Sequence, residues 1–549
     1  MADNAAPMLN RDRAGRFLRA RWPPLVALAA TLAYAVVVIG FGLDFRPLHN
    51  DEGVTLGVAS RASAIDVLRW AVEHRHGPPL HYLLVHAALA WRHDILGLRL
   101  PSALLGIAAV ALSYGFGREL LGRAGGAVVA VVTASSPITI HLGQFARGYT
   151  AMIAGAYASA WLMLLLVRTG RARWIAPYAL AALMLVSAHP FGLFALFSEL
   201  VIMAGLAGIR LRHGLRSQRG LAATVAAAAL LGAVALLLLR HLYSPLQGKY
   251  GVGNGGPVIR IGSHHFWERL GDAATGSVHI GFAVALGAAA LAGLAALAVR
   301  NRRAAWFAVV WLVLPIVLLS VLTAASRDFA PERHLSFLLP GFAVTLAGFA
   351  VELRRLARRP GPIVAAAAVA ALLAPGWVAD HNELANFNAD LRDASLYMAA
   401  RFGPSDVLAT TAGTLANGED ARLIGAYAVL AAPDSSPLSS WQHAGSLRGC
   451  RLVHRLDQHG AHGLLWLMMS VEDPRTVGPA LRLAGARVRG FGTFLVVAAA
   501  PPFPTVLSAV RTAERLWHDA VAADPSAYDV RRMVRLYRHA AVVDAAGQC

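Results

Sequence analysis

Two adjacent carboxylates, Asp51 and Glu52 in Leu48-His-Asn-Asp-Glu-Gly, are the first residues along the chain suited to acid–base chemistry. The charge of one raises the proton affinity of the other, which suits a general base with a partner. A solvated loop pair is the plain alternative. Guanidinium groups follow: Arg99 in Gly-Leu-Arg-Leu-Pro-Ser, Arg147 beside Tyr149 in Gln-Phe-Ala-Arg-Gly-Tyr, and Arg327 and Arg333 with His334. Each can attract an anionic partner, and each has a structural reading too. Arg99 can be an interfacial anchor, and Arg327 and Arg333 can bridge to Asp328 and Glu332. His74, His76 and His81 do not share one helix face, and His264-His265 are adjacent, so neither set suits zinc. Gly251–Gly256 lacks the Gly-Lys-Ser/Thr ending of a phosphate loop. Lys249, just before it, either reaches a phosphate or is an ordinary loop lysine.

The elements that must position these groups are apolar. Of 549 residues 57% are hydrophobic and 15% charged, against about 25% charged in a soluble domain. Blocks such as Val26–Leu43, Leu221–Leu239 and Ile280–Val299 carry no charge and approach the roughly 20 residues that cross a bilayer as a helix. The net charge of +19 does not indicate nucleic acid. The excess sits in short arginine clusters between apolar blocks, where it sets topology. The clusters are Arg11–Arg21, Arg118/Arg123, Arg168/Arg171/Arg173, Arg210–Arg219, Arg300/Arg302/Arg303 and Arg354–Arg359.

Placing every cluster in the cytoplasm gives spans near 22–43, 99–117, 124–142, 149–167, 174–188, 190–209, 221–241, 278–299, 304–324, 335–351 and 361–378. This count, about 11, is odd and puts the C-terminus outside. Segments 44–98, 143–148, 242–277 and 325–334 then face outward, so the candidate residues gather on the face opposite the cytoplasm. Pro78–Trp91 is short for a span and reads as a surface helix, as does Asp51–Arg75. Glu199, inside a span, is the exception to charges placed at span ends.

Three domains are expected: a cytoplasmic tail over 1–21, a membrane domain over 22–379, and an outer α/β domain over 380–549. In the last, Leu384, Phe387, Leu391 and Tyr397 follow helical spacing, and a second helix is expected near 475–486. Asp406–Ala412, Arg451–Leu456, Leu464–Ser470 and Arg487–Val497 read as strands. Cys450 and Cys549 can form one bridge or stay two thiols.

Several motifs fall in a familiar order: the Asp-Glu pair, Gly-Pro-Pro-Leu-His-Tyr-Leu-Leu (77–84), Gly-Leu-Arg-Leu-Pro-Ser-Ala-Leu-Leu-Gly (97–106), Gln-Phe-Ala-Arg-Gly-Tyr (144–149) and Pro-Glu-Arg-His-Leu-Ser-Phe-Leu-Leu-Pro (331–340). Over roughly residues 20–350 the chain resembles the polyprenyl-phosphate-sugar-dependent glycosyltransferases of the GT-C class. The nearest branch is family 39, which holds protein O-mannosyltransferases and lipid A aminoarabinose transferases. The resemblance implies a polytopic helical GT-C fold in a bacterial inner membrane. It implies Asp51 as the catalytic acidic residue with Glu52 beside it, and Arg99 near the donor phosphate. Arg147, Arg333 and Lys249 are further donor-phosphate candidates; His76, Tyr82, Tyr149 and His334 are substrate-binding candidates. Many relatives carry Glu where Phe145 stands, so a second carboxylate from that turn is missing here.

The expected partners are a polyprenyl-phosphate sugar, an extracytoplasmic acceptor (lipid, glycan or protein) and the bilayer. The expected chemistry is one inverting displacement, with Asp51 as base and guanidinium groups stabilising the departing phosphate by about 3 kcal/mol. No cofactor is required, and a divalent metal is compatible but not implied. A transporter or a lipid-handling scaffold is the other class to weigh. Such proteins place ionisable groups near mid-membrane, as with Glu199, and often show internal repeats, of which none is visible.

Overall fold

The computed structural model describes residues 22–44, 46–73, 79–189, 191–212, 280–326, 332–356, 389–401, 407–410, 464–470, 487–491 and 494–499, with isolated positions at 369–371, 373–375, 378 and 430. His76, Lys249, Cys450, Cys549, the expected span at 221–241, the strand at 451–456 and the helix near 475–486 lie outside the described residues. The chain divides into two compact units. One comprises Met1–Asp44, Val58–Arg92 and Leu96–Glu383; the other comprises Phe45–Gly57, His93–Ile95 and Leu384–Cys549.

The first unit is helical. Its elements are α1 (Trp22–Gly40), α3 (Ala64–Glu73), α4 (Leu80–Trp91), α5 (Ile95–Ser135), α6 (Pro137–Gly143), α7 (Tyr149–Thr169), α8 (Ile175–Ala188), α9 (Gly192–Arg212), α10 (Ile280–Arg300), α11 (Arg302–Ser326) and α12 (Leu339–Leu356). In the first unit a 3-10 turn, Glu332–Leu338, leads into α12; helix α2 (Asn50–Ala59), which follows α1 in the chain, belongs mostly to the second unit. Among the described residues, five helical segments are long and apolar enough to cross a membrane: Ile95–Ser135, Tyr149–Thr169, Ala283–Arg300, Arg302–Leu319 and Arg333–Arg355. They follow the expected spans closely.

Two breaks in the helical path have local causes, the first at an expected boundary and the second a departure. The long α5 is two helices meeting at Gly122, whose φ of 77° breaks the helical path at the Arg118/Arg123 boundary the sequence proposed. The span expected over 124–142 stops at Ser135, because Ser136 turns extended and Pro137 opens α6 at its first turn.

Among the described residues, the clusters around Arg168 and Arg303 meet at Glu119. Arg168 Nε lies 2.9 Å from Glu119 Oε1, and Arg303 Nη2 approaches the same oxygen at 3.9 Å. Asn301 Nδ2 donates to the Leu120 carbonyl at 2.8 Å. Tyr149 and Arg147 lie at the opposite end of α7, whose 21 residues span about 31 Å, close to a hydrocarbon core. The interior between is close-packed: Phe116, Tyr157, Phe307 and Trp311 are all fully buried. Phe307 stacks on Trp311 with centroids 5.1 Å apart.

The second unit holds helix α13 (Ala389–Ala399) and strands β1 (Val407–Thr410), β2 (Leu465–Ser470), β3 (Arg487–Phe491) and β4 (Phe494–Ala499). They form one sheet in the order β1-β2-β4-β3. β1 runs parallel to β2, and the other pairs are antiparallel. The single strand expected over Arg487–Val497 is instead a hairpin, with Phe491 paired to Phe494. Tyr397 of α13 meets Trp466 of β2 edge-on at 6.4 Å, and the guanidinium groups of Arg401 and Arg489 lie 4.0 and 4.6 Å from the Tyr397 ring centre.

Candidate functional site

Asp51 and Glu52 do different jobs in the first turn of α2. His49 stands at the N-cap, so Glu52 is the third helical residue. Its Oε2 accepts the His49 backbone N–H at 3.0 Å, while His49 Nδ1 accepts the Asp51 N–H at 3.1 Å. This reciprocal arrangement is a capping box with histidine in the usual serine place. Glu52 is accordingly buried, at 1% exposure. The Asp51 side chain keeps 26% of its surface accessible. His49 Nδ1 comes within 4.0 Å of Asp51 Oδ2, but that nitrogen already accepts a backbone proton, so the approach is not an ion pair. Position at a helix N-terminus favours the Asp51 anion.

In the helical unit, the loop between α6 and α7 supplies Arg147 and Tyr149. Gln144 fixes that loop from below. Its Nε2 donates to the carbonyls of Val38, Ile39 and Phe41 at 2.9, 3.1 and 2.6 Å, capping the end of α1. Arg99 does related work: its buried Nη1 donates to Leu43 O at 3.0 Å. Arg147 Nη1 reaches Tyr82 Oη at 3.4 Å, and Ser102 Oγ holds the Arg147 carbonyl at 3.3 Å. Gly148 is required here, since a Cβ would fall 2.4 Å from the Ala188 oxygen.

Tyr149 is the centre of the cluster. Its hydroxyl accepts from Arg333 Nε at 3.2 Å and pairs with His334 Nε2 at 3.0 Å. Its ring packs on His189 at 5.2 Å and on Phe145 at 6.2 Å, the latter nearly parallel at 11°. His189 and His334 lie 4.6 Å apart, and Phe191 touches both. The opposite nitrogen of His334, Nδ1, is buried with no hydrogen-bond partner among the described residues. Arg333 and Arg147 both stand close enough to His334 for their charges to act on it, after burial and His189. Phe145 stacks between Tyr149 and His141. Among the described residues no three His, Cys, Asp or Glu side chains gather as a metal ion needs.

Of the residues singled out in the sequence, the structure brings together Arg147 with Tyr82, and Tyr149 with Arg333 and His334. His189 and Phe191 were not singled out. Their signal was present only as a histidine and an aromatic flanking Pro190 between two apolar blocks.

The chain has a GT-C glycosyltransferase-like fold. Two solved structures carry that statement, both of ArnT from Cupriavidus metallidurans. The apo form matches with a TM-score of 0.54 at 15% identity, over 86% of this chain and 97% of that one. The form bound to undecaprenyl phosphate matches with a TM-score of 0.56, also at 15% identity, over 86% and 98%. At that identity the likeness establishes the fold alone. No protein-family model and no curated protein matches the sequence.

Proposed function

We propose that this protein is a membrane glycosyltransferase that moves a sugar from a polyprenyl-phosphate carrier to an extracytoplasmic acceptor, in a bacterial inner membrane with the N-terminus inside. The observation that carries the reading is the Tyr149 cluster, with Arg333, His334 and, through Tyr82, Arg147, at the end of the helices opposite the arginine clusters. Two guanidinium groups at that level suit a lipid phosphate whose chain stays in the bilayer. The fold it shares with a protein solved with undecaprenyl phosphate supports the same donor class.

In the proposed reaction Asp51 removes the proton of the acceptor hydroxyl or amine as that atom attacks the anomeric carbon. The bond from that carbon to the phosphate oxygen breaks, its electrons stay on the phosphate, and the anomeric centre inverts. The leaving group is a stable anion, so no general acid is needed. Arg147 and Arg333 stabilise the growing charge, a contribution of about 3 kcal/mol. Arg99, by resemblance, and Lys249, as a loop lysine with the reach for a phosphate, join them as donor-phosphate residues, with Arg99 also anchoring Leu43. Glu52 supports Asp51 by capping α2.

The test uses membranes containing the full chain, supplied with labelled polyprenyl-phosphate sugars. The wild type transfers label to lipid, glycan or protein, and Asp51→Asn lowers the rate about a hundredfold or more. A wild type that moves no label from any donor in the series defeats the proposal and favours a transporter or scaffold.

A further inference from the structure

Glu199 is a buried carboxyl group that the proposed reaction leaves unused. It lies on α9, fully buried, and is held from two sides. Ser159 of α7 donates its hydroxyl to Oε1 at 2.6 Å, and Tyr178 of α8 donates to Oε2 at 2.9 Å. One carboxyl group therefore joins three successive helices.

Adhesion is a poor account of this triad. Taking a carboxyl and two hydroxyls out of water costs more than burying apolar side chains of the same volume. Directional hydrogen bonds add something apolar contacts lack, because they are satisfied at only one height and one rotation of each helix. The surrounding interface needs such a constraint. Gly155 of α7 lies so close to α8 that a Cβ would fall 2.7 Å from Leu185 Cα. Small-residue contacts of this kind bring helices together without fixing how far one slides along the other. The same three helices end at the Tyr149 cluster: Tyr149 opens α7, His189 caps α8, and Phe191 directly precedes α9. The triad sits roughly 10–16 Å down those helices from the cluster.

We propose that Glu199 is a positioning residue: with Ser159 and Tyr178 it sets the register of α7, α8 and α9, and so holds Tyr149 against His189 and His334. Its consequence for the donor rests on the glycosyl-transfer reading, whereas its consequence for the helix ends does not.

The experiment compares purified full-length wild type with Glu199→Leu and Glu199→Gln in detergent. Three quantities are read: the melting midpoint, amide hydrogen exchange over 145–152 and 186–194, and affinity for undecaprenyl phosphate. The expected result for Glu199→Leu is an unchanged or higher melting midpoint, faster exchange in both segments, and affinity lower by about fivefold, equivalent to one net hydrogen bond. Glu199→Gln restores most of both, since an amide still accepts from one hydroxyl and donates to the other. Should the leucine variant fail to fold, Tyr178→Phe replaces it and gives a smaller change in the same direction. Wild-type exchange in the variant overturns the proposal. An equal loss in Gln and Leu with a fallen melting midpoint overturns it too, because that marks general destabilisation. A wild type that does not bind the lipid defeats the glycosyl-transfer reading instead, and the exchange comparison alone then decides the register.

Discussion

Arg333 donates its Nε–H to the hydroxyl of Tyr149 at 3.2 Å, although the two residues stand 184 positions apart in the chain. The contact joins the turn that opens α7 to the 3-10 turn that leads into α12. It orients one guanidinium group and, through the same hydroxyl, one imidazole.

Tyr149→Phe removes that hydroxyl and leaves the ring packing on Phe145 and His189 in place. Affinity for undecaprenyl phosphate is expected to fall about tenfold, as Arg333 and His334 lose a shared partner. Titration of the purified protein by intrinsic tryptophan fluorescence measures this. An unchanged affinity removes the cluster from donor binding.

Glu52 and Asp51 are expected to separate cleanly. Glu52→Ala deletes the reciprocal arm of the capping box and costs about 1 kcal/mol of stability, seen as faster amide exchange in the first turn of α2. Asp51→Asn leaves that exchange at the wild-type rate while transfer slows about a hundredfold or more. Loss of exchange protection in Asp51→Asn would contradict the division of labour.

Gln144 serves three backbone carbonyls with one amide nitrogen. Gln144→Leu strands buried acceptors at the end of α1 and should cost about 2–3 kcal/mol. Gln144→Glu is expected to be worse, because a carboxylate donates nothing and faces carbonyl oxygens. Thermal denaturation in detergent ranks the two, and a glutamate variant as stable as wild type would refute the assignment.

Gly155→Val places branched carbon atoms where Leu185 backbone already stands. Overpacking of this kind costs about 1–3 kcal/mol, and the helices must part to relieve it. A melting midpoint equal to wild type would show that α7 and α8 do not pack as described. Gly122→Ala tests a different property, since the φ of 77° there strains any residue with a side chain by about 1 kcal/mol.

Much of the helical frame was legible because a bilayer imposes strong rules on sequence. Lengths of uninterrupted apolar residues marked α7, α10 and α11, and the arginine clusters marked their ends. The meeting of Arg168 and Arg303 at Glu119 follows from the same bookkeeping of ends. Local breaks were harder. Pro137 ends a run that is apolar on both sides of it, from 124 to 142, and the hairpin at Phe491 and Phe494 lies inside a run of strand-forming residues.

The site divides in the same way. Residue types and order along the chain determined by themselves that carboxylates and arginines border the spans, since charge is excluded from hydrocarbon and collects at its edges. The division between Glu52 as a helix cap and Asp51 as an accessible carboxylate came only from the folded turn, because both residues obey the same local pattern. Tertiary structure alone placed His189 and Arg333 on Tyr149 and enclosed Glu199 between Ser159 and Tyr178. Contacts between residues far apart in sequence depend on how helices rotate and slide against one another. That depends on packing over whole faces and on directional hydrogen bonds between helices, such as those of Glu199, which no short motif encodes.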